Sequence, residues 1–435
     1  MTKAALKRRV IEAIDSHEKK ILSFGRQISH CAELGFKEFR TTEAVTDYLA
    51  SLGLEDQGPV AITGNQSILN EDSCGPTIAL LGELDAIIVT DHPEADSNGV
   101  VHACGHHIQL AGMLGAVTGL IESGILDQLE GRIKIMTTPA EEFIELDYRQ
   151  GLRDSQKIES FSGKQEMIRR GLFDDVDISM MFHSYGELGK DVALVGPLSN
   201  GFIAKQITFR GEASHAGSAP EEGINALNAA SLAMMNIHAQ REVFKDTDRI
   251  RVHSIITKGG DIVNVVPAEV KMESCVRART VEALIDANKK VNRALQAGAL
   301  AVGAQVEILD EPGYLPILRT ESLDSIFKDN IESLGFEGRV LDGGDFTCSF
   351  DFGDISHLMP ALHPMIGGVS GALHTKDFRV SDEQLAYILP AKALALSIID
   401  LLFDEAKRAK EIINEFKAPM TKESYLQFMA QLAKS

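Results

Sequence analysis

Between about Asn200 and Pro316 the chain changes its pattern, and that change constrains the fold more than any other feature. A strand over Phe202–Phe209 leads to a helix from Gly223 to about Arg241, then to strands Ile250–Thr257 and Glu269–Arg277. A long Ala-rich helix from Val281 to about Ala301 and a strand over Gln305–Asp310 follow. This is a βαββαβ order, the ferredoxin-like arrangement, which can fold as a module of its own.

On either side the pattern is different. The first 55 residues read as helix, with Val10, Ile11, Ile14, Ile21 and Leu22 at helical spacing and a stop at Gly53. Short apolar runs at Thr77–Ala86, Arg132–Thr138 and Asp177–His183 read as buried strands, with a small-residue helix from about His107 to Ser123 between the first two. Strands alternating with helices predict a mixed, mostly parallel sheet sandwiched by helices. After the interruption the α/β pattern returns up to a helix at Glu383–Asp404, followed by a charged helical tail. The expected organisation is a discontinuous catalytic domain over 1–199 and 317–435, with the ferredoxin-like α+β lid, 200–316, inserted into it.

Composition narrows the partners. With 43 basic and 63 acidic residues the net charge is −20, which excludes the basic footprint that nucleic acid or an anionic membrane surface requires. The amino terminus lacks the apolar core of a signal peptide, and no apolar run reaches about 18 residues. Leu385–Phe403 comes nearest and is broken by Pro390, Lys392 and Asp400. Five cysteines have no disulfide-framework spacing. The expectation is a soluble, acidic, cytoplasmic protein acting on a small molecule.

Three segments carry the chemistry. In His102-Ala-Cys104-Gly-His106-His107, a Cys and a His two apart across a glycine can place a thiolate and an imidazole on one cation. The bland alternative is a buried Cys beside a helix-start His. Thr138-Pro-Ala-Glu141-Glu142 sets two carboxylates just past a strand; adjacent residues point in different directions, so one can ligate while the other faces substrate. Alone, the pair also reads as a solvated turn or cap. His183 closes a strand of the same sheet and His374 lies in a loop before the last long helix. Together these N, S and O donors at strand ends are what a one- or two-metal hydrolase needs.

His-Ala-Cys-Gly-His, Thr-Pro-Ala-Glu-Glu and Gly211-Glu-Ala-Ser-His215-Ala resemble the amidohydrolase branch of the aminoacylase/carboxypeptidase metallopeptidases, peptidase family M20. The resemblance runs from Glu33-Leu-Gly-Phe-Lys-Glu38 to His374-Thr-Lys-Asp-Phe. Within that branch Gly82-Glu-Leu-Asp85-Ala86, Ala219-Pro-Glu-Glu-Gly-Ile-Asn225 and Asp351-Phe-Gly-Asp354 are most similar to the aminobenzoyl-glutamate hydrolase and dipeptidase-like subgroup. It implies a zinc-peptidase-like catalytic domain and two divalent ions (Zn, Mn, Co or Ni) held by Cys104, His106, Glu142, His183 and His374. It further implies Glu141 as general base and acid, Asp85 as the acid that orients a ligand, and His215 as the lid residue that stabilises the oxyanion. Asn264 and Arg277 are implied as the pair that holds a substrate carboxylate or carbonyl, and the lid as the site of homodimerisation.

Two departures from the family stand out. His107 replaces the usual Asp or Asn and is a candidate substrate contact, ligand or proton shuttle. After Glu142 the family's short Gly-rich loop gives way to an inserted segment, Phe143–Phe161, in which Tyr148, Arg149 and Arg153 are expected to help select an aromatic or anionic substrate. The expected reaction is hydrolysis of a small N-acyl or aminoacyl amide (aminobenzoyl-glutamate-like, acyl-amino acid or dipeptide) by metal-activated water. Deamination of a substituted aromatic amine by the same water is the alternative within the class, and a catalytically silent metal- or ligand-binding homologue the alternative outside it.

Overall fold

The computed structural model describes residues 1–433, which form two compact units. The first comprises Met1–Pro197, Leu318–Gly344 and Ile355–Pro419; the second comprises Leu198–Ile317, Asp345–Asp354 and the chain from Met420.

The first unit is built on a five-stranded sheet, in the order Asn65–Leu69, Arg132–Thr138, Thr77–Glu83, Ile178–Met180, Ala361–Leu362. Only the Asn65–Leu69 edge runs antiparallel. Thr77–Glu83 is buried along its whole length, as expected of a central strand covered on both faces. The covering helices are Lys3–Ser16, Glu18–Ser29, His106–Glu122 and Leu389–Glu415. His106–Glu122 has no polar face because it is buried on every side from His106 to Leu120. The last helix follows a π-helical turn over Gln384–Ile388 and breaks at Phe403–Ala406. By length and composition it passes for a membrane span, but 89% of its apolar window is buried inside the protein. It is a core helix.

A second small sheet, in the order Val340–Asp342, Ala193–Val195, Met365–Ile366, His183–Ser184, corrects one expectation. His183 does not lie in the main sheet. The chain continues its backbone pairing with 360–366, through Met181 N–H to Leu362 and His183 N–H to Pro364, and so passes into the second ladder.

The second unit has the antiparallel strand order Arg251–Lys258, Glu269–Ala278, Gly201–Arg210, Gln305–Pro312, with helices Ala226–Ala239 and Val281–Ala301. Val270, Met272 and Val276 alternate with exposed or half-buried residues, so one face of the sheet packs on the helices. The unit also contains segments that the sequence reading assigned to the catalytic domain: Asp345–Asp354 and the carboxyl-terminal helix Lys422–Leu432. Tyr425, Phe428, Met429 and Leu432 share one helical face; the last three join the lid core, and the Tyr425 hydroxyl donates to Asp354 at 3.0 Å. Charge along the tail masks that stripe in the sequence.

Candidate metal centre

Gly105 makes the Cys-Gly-His turn possible. It caps helix His106–Glu122 with φ 90°, and a Cβ there would lie 2.0 Å from Ser184 Oγ. The turn sets Cys104 Sγ 3.4 Å from His183 Nε2. His183 Nδ1 faces the Ser184 carbonyl at 2.8 Å, and His106 Nδ1 faces the Asp85 carbonyl at 2.7 Å. A carbonyl only accepts, so both rings carry their proton on Nδ1 and turn Nε2 inward, as metal-binding histidines do.

The carboxylate pair sits on a strained turn. Ala140 has φ 52°, unusual for a residue with a side chain, and its neighbours hold it there. Its N–H donates to Glu38 Oε1 at 2.8 Å, and its carbonyl accepts from Gly163 at 3.3 Å. The Glu142 N–H donates to Asp85 Oδ2 at 2.9 Å, and the Arg149 guanidinium donates to the Glu142 carbonyl.

Overlapping groups of donor atoms result, each within a 4.8 Å span, among them Cys104, His106 and His183; Cys104, Glu142 and His374; His106, Glu141 and Glu142. The residues fit two divalent ions. His106 Nε2 is buried without a hydrogen bond, although Glu83 Oε2 is 3.1 Å away, and Glu142 Oε1 likewise, although His374 Nε2 is 3.0 Å away. Atoms so close yet not aligned on one another point at a shared position that a cation would satisfy. Cys104, His106 and Glu142 each belong to two of these groups, so the groups form one continuous donor set.

The electrostatics agree. Burial and the nearby Glu142 hold the Cys104 thiol well above its usual range. Burial opposes a charged His106, but Cys104, Glu83 and Asp85 outweigh it and raise this imidazole well above its ordinary value. Burial lowers His183 to about 4. A cation would take the place of the protons on Cys104 and on His106 Nε2.

The structure thus brings together Cys104, His106, Glu141, Glu142, His183, His374 and Asp85. It does not bring His107 to them. That ring is buried against His102 and Tyr387, at centroid distances of 5.4 and 6.1 Å, and belongs to none of the donor groups. The helix turns it into the core, which overturns its expected substrate role.

In the second unit His215 is exposed, and its Nδ1 accepts the N–H groups of Gly217 and Ser218, both at 3.1 Å. Its proton is therefore on Nε2, the tautomer an oxyanion donor needs. Asn264 is exposed beside it; the Ala216 N–H donates to its carbonyl. Arg277 is not their neighbour. The 211–215 segment leaves the sheet at the Glu269 end of strand Glu269–Ala278, where Gly211 N–H bonds Ala268, whereas Arg277 is at the other end, about 26 Å along at ~3.3 Å per residue. There its guanidinium donates to Ser349 Oγ at 2.7 Å and lies over the Phe202 ring. Within one lid Asn264 and Arg277 do not form a pair.

The inserted segment also differs from expectation. It folds as helix Leu146–Asp154 over a small apolar cluster of Phe36, Ala140, Leu152, Ile158 and Phe161. Arg149 is 1% exposed and bonded to backbone carbonyls, and Arg153 lies 3.7 Å over the Phe161 ring while donating to the Glu159 carbonyl. The apolar residues interspersed with the charges fold the segment down and take up both arginines. The Tyr148 hydroxyl is turned to the Phe36 carbonyl at 3.4 Å.

Several site residues escaped sequence reasoning. Glu83 is buried against His106, with Lys164 at 2.5 Å and Gln109 at 2.7 Å on its oxygens. The signal was available, since Glu83 closes its strand only two residues before Asp85. Glu38 had a signal in the Glu33–Glu38 motif, where two acids flank apolar residues. His363, with its ring centroid 6.2 Å from that of His183, and Lys164 had none.

Comparison with known proteins bears on the family and the fold. Residues 199–302 match the peptidase dimerisation domain of the M20 family. Xaa-Arg dipeptidase of Mus musculus is 29% identical over 97% of this chain and 94% of that protein. N-acetyl-L-cysteine deacetylase of Bacillus subtilis is 24% identical over 80% of each. Among solved structures, a dinuclear metal-binding M20 peptidase from Bacillus subtilis has a TM-score of 0.68 at 20% identity, covering 89% of this chain and 99% of that one.

Proposed function

From a chain that belongs to the M20 amidohydrolase family, and is with it a metal-dependent hydrolase of C–N bonds, we propose an enzyme that cleaves a small N-acyl or aminoacyl amide, with dipeptides the leading class. The observation that carries this is the convergence of Cys104, His106, Glu142, His183 and His374, with Glu141 beside His106 and Glu142. Cys104, His106, Glu142, His183 and His374 would hold two divalent ions, which supply Lewis acidity toward a water and a carbonyl oxygen. Nitrogen, sulfur and carboxylate donors together suit Zn²⁺ first, with Mn²⁺, Co²⁺ or Ni²⁺ also accommodated.

The remaining roles belong to the protein. Glu141 is 6% exposed and takes a proton from the attacking water, then returns it to the leaving amine nitrogen. Asp85 fixes the His106 ring and the Glu142 backbone. His215 offers its Nε2–H to the developing oxyanion, and Arg277 offers a planar fork to a substrate carboxylate. The dipeptide preference is supported by the Xaa-Arg dipeptidase likeness along nearly the whole chain. A homodimer through the lid is supported by the dimerisation-domain match. A reducing, cytoplasmic setting is the reading that suits Cys104 as a metal ligand, since only the reduced sulfur can bind an ion.

The test is amine release from a panel of dipeptides, acyl-amino acids, aminobenzoyl-glutamate and substituted aromatic amines by Zn²⁺- or Mn²⁺-loaded protein. Turnover of an amide supports the proposal, with dipeptides expected first. Ammonia from an aromatic amine with no amide cleaved would replace it with deamination.

A further inference from the structure

We propose that Arg149 is a positioning residue of the metal centre, holding the Glu142 carbonyl so that the Glu142 carboxylate stays turned toward the ions. The proposal rests on the assignment of Glu142 as a ligand. It goes beyond that assignment by giving the inserted segment a role that its surface-loop composition conceals.

The geometry is specific. The Arg149 Nη1 donates to the Phe161 carbonyl at 2.5 Å and Nη2 to the Glu142 carbonyl, so one guanidinium ties the two ends of the insertion together at the metal-binding turn. The Glu142 N–H is held independently by Asp85. Both peptide groups flanking the Glu142 Cα are thereby fixed, which leaves only side-chain torsions to set its carboxylate.

The cost of this arrangement argues that it is more than packing. Arg149 is 1% exposed, Nε has no hydrogen-bond partner, and no carboxylate among the described residues forms an ion pair with it. The guanidinium instead lies 5.5 Å from the Phe36 ring centroid and 6.0 Å from that of Phe143. A buried cation paired only with carbonyls and ring faces is expensive to keep, and an apolar side chain would fill the volume at lower cost. The surroundings also make room for it. A Cβ on Gly35 would lie 2.7 Å from Arg149 Nη2 and 2.8 Å from the Ala140 Cα.

The test compares Arg149→Met and Arg149→Lys with Leu152→Ala, which loosens the same helix without touching the guanidinium. Zn²⁺ affinity is measured by chelator competition, amide exchange over 138–144 on the metal-free chain, and kcat and KM on an amide the wild type cleaves. Arg149→Met is expected to weaken Zn²⁺ binding about 10–100-fold and lower kcat similarly, with KM within about twofold, as loss of outer support does elsewhere. Exchange over 138–144 should accelerate about tenfold or more as the turn opens locally. Arg149→Lys, which cannot reproduce the fork, should lose about threefold or more in affinity, and it decides the matter if Arg149→Met does not fold. Leu152→Ala should lower the melting temperature and keep wild-type Zn²⁺ affinity. Unchanged affinity and exchange in the arginine variants, or an equal loss in Leu152→Ala, would overturn the proposal. A wild-type chain that binds no Zn²⁺ would instead overturn the metal-site reading, and exchange in the metal-free chain would still decide the role of Arg149.

Discussion

Asp85 accepts the backbone N–H of Glu142 on Oδ2 at 2.9 Å, while its Oδ1 stands 3.3 Å from Nδ1 of His106. One buried carboxylate therefore joins the helix start that supplies an imidazole to the turn that supplies a carboxylate. Replacing it by Asn turns one acceptor into a donor that faces another N–H. Asp85→Asn should weaken metal binding about 10–100-fold and reduce turnover to match, with the fold intact by circular dichroism. Wild-type metal affinity in Asp85→Asn would show that the two contacts are incidental.

Gly105 is the backbone counterpart of that link. With φ 90° and Ser184 Oγ 2.0 Å from where a Cβ would stand, Gly105→Ala must distort the turn between Cys104 and His106. We expect about 1–3 kcal/mol of backbone strain before any clash is counted, and loss of at least one metal equivalent. Calorimetry with metal analysis checks both effects, and an unperturbed alanine variant would refute the assigned turn.

How much of this was legible in the sequence depends on the range of the interaction. The βαββαβ lid follows from local periodicity, and its strand starts and ends fall within a residue or two of those read from the chain. Cys104, His106, Glu141 and Glu142 stand out because each pair is separated by at most one residue. His183 and His374 were weak signals singly and gained weight only as members of a donor set at strand ends, since nothing local distinguishes a ligand histidine from a structural one. The Lys164–Glu83 pair spans 81 positions and leaves no local trace. Arg149 was misread for a related reason, because a buried cation and a surface cation look alike until the apolar residues around it are seen to fold into a cap.

Glu38 makes the metal-free protein pH-sensitive. Burial, with repulsion from Asp85, raises its carboxyl from the ordinary 4.5 to about 8. The folded state binds this proton more tightly than the unfolded one, so the associated stability is fully present below about pH 4.5 and lost as pH rises through about 8. The slope for one proton is at most about 1.4 kcal/mol per pH unit. Denaturant unfolding of the metal-free chain from pH 5 to 8.5 should show stability falling with pH, and Glu38→Gln should flatten that dependence. An equal slope in both proteins would reject this assignment.

The lid holds its own buried charge pair, Lys205 with Asp310 at 2.5 Å, and Asn288 also donates to Asp310 at 2.6 Å. Lys205→Met alone leaves a buried carboxylate without its cation and should destabilise the chain by about 3–5 kcal/mol. Lys205→Met combined with Asp310→Leu should recover most of that loss. A double variant no more stable than the single one would show that neighbouring packing, and not the pair, accounts for the effect.

The most direct measurement is a side-by-side titration of wild type and Glu141→Gln with Zn²⁺, followed by amide turnover at saturation. The account predicts two ions bound by each protein, with turnover in Glu141→Gln lower by about 10²–10⁴-fold, the share ordinarily supplied by a general acid–base group. Two bound ions with undiminished turnover in Glu141→Gln would contradict the assignment of the proton-transferring residue, and no bound ion in the wild type would contradict the metal centre itself.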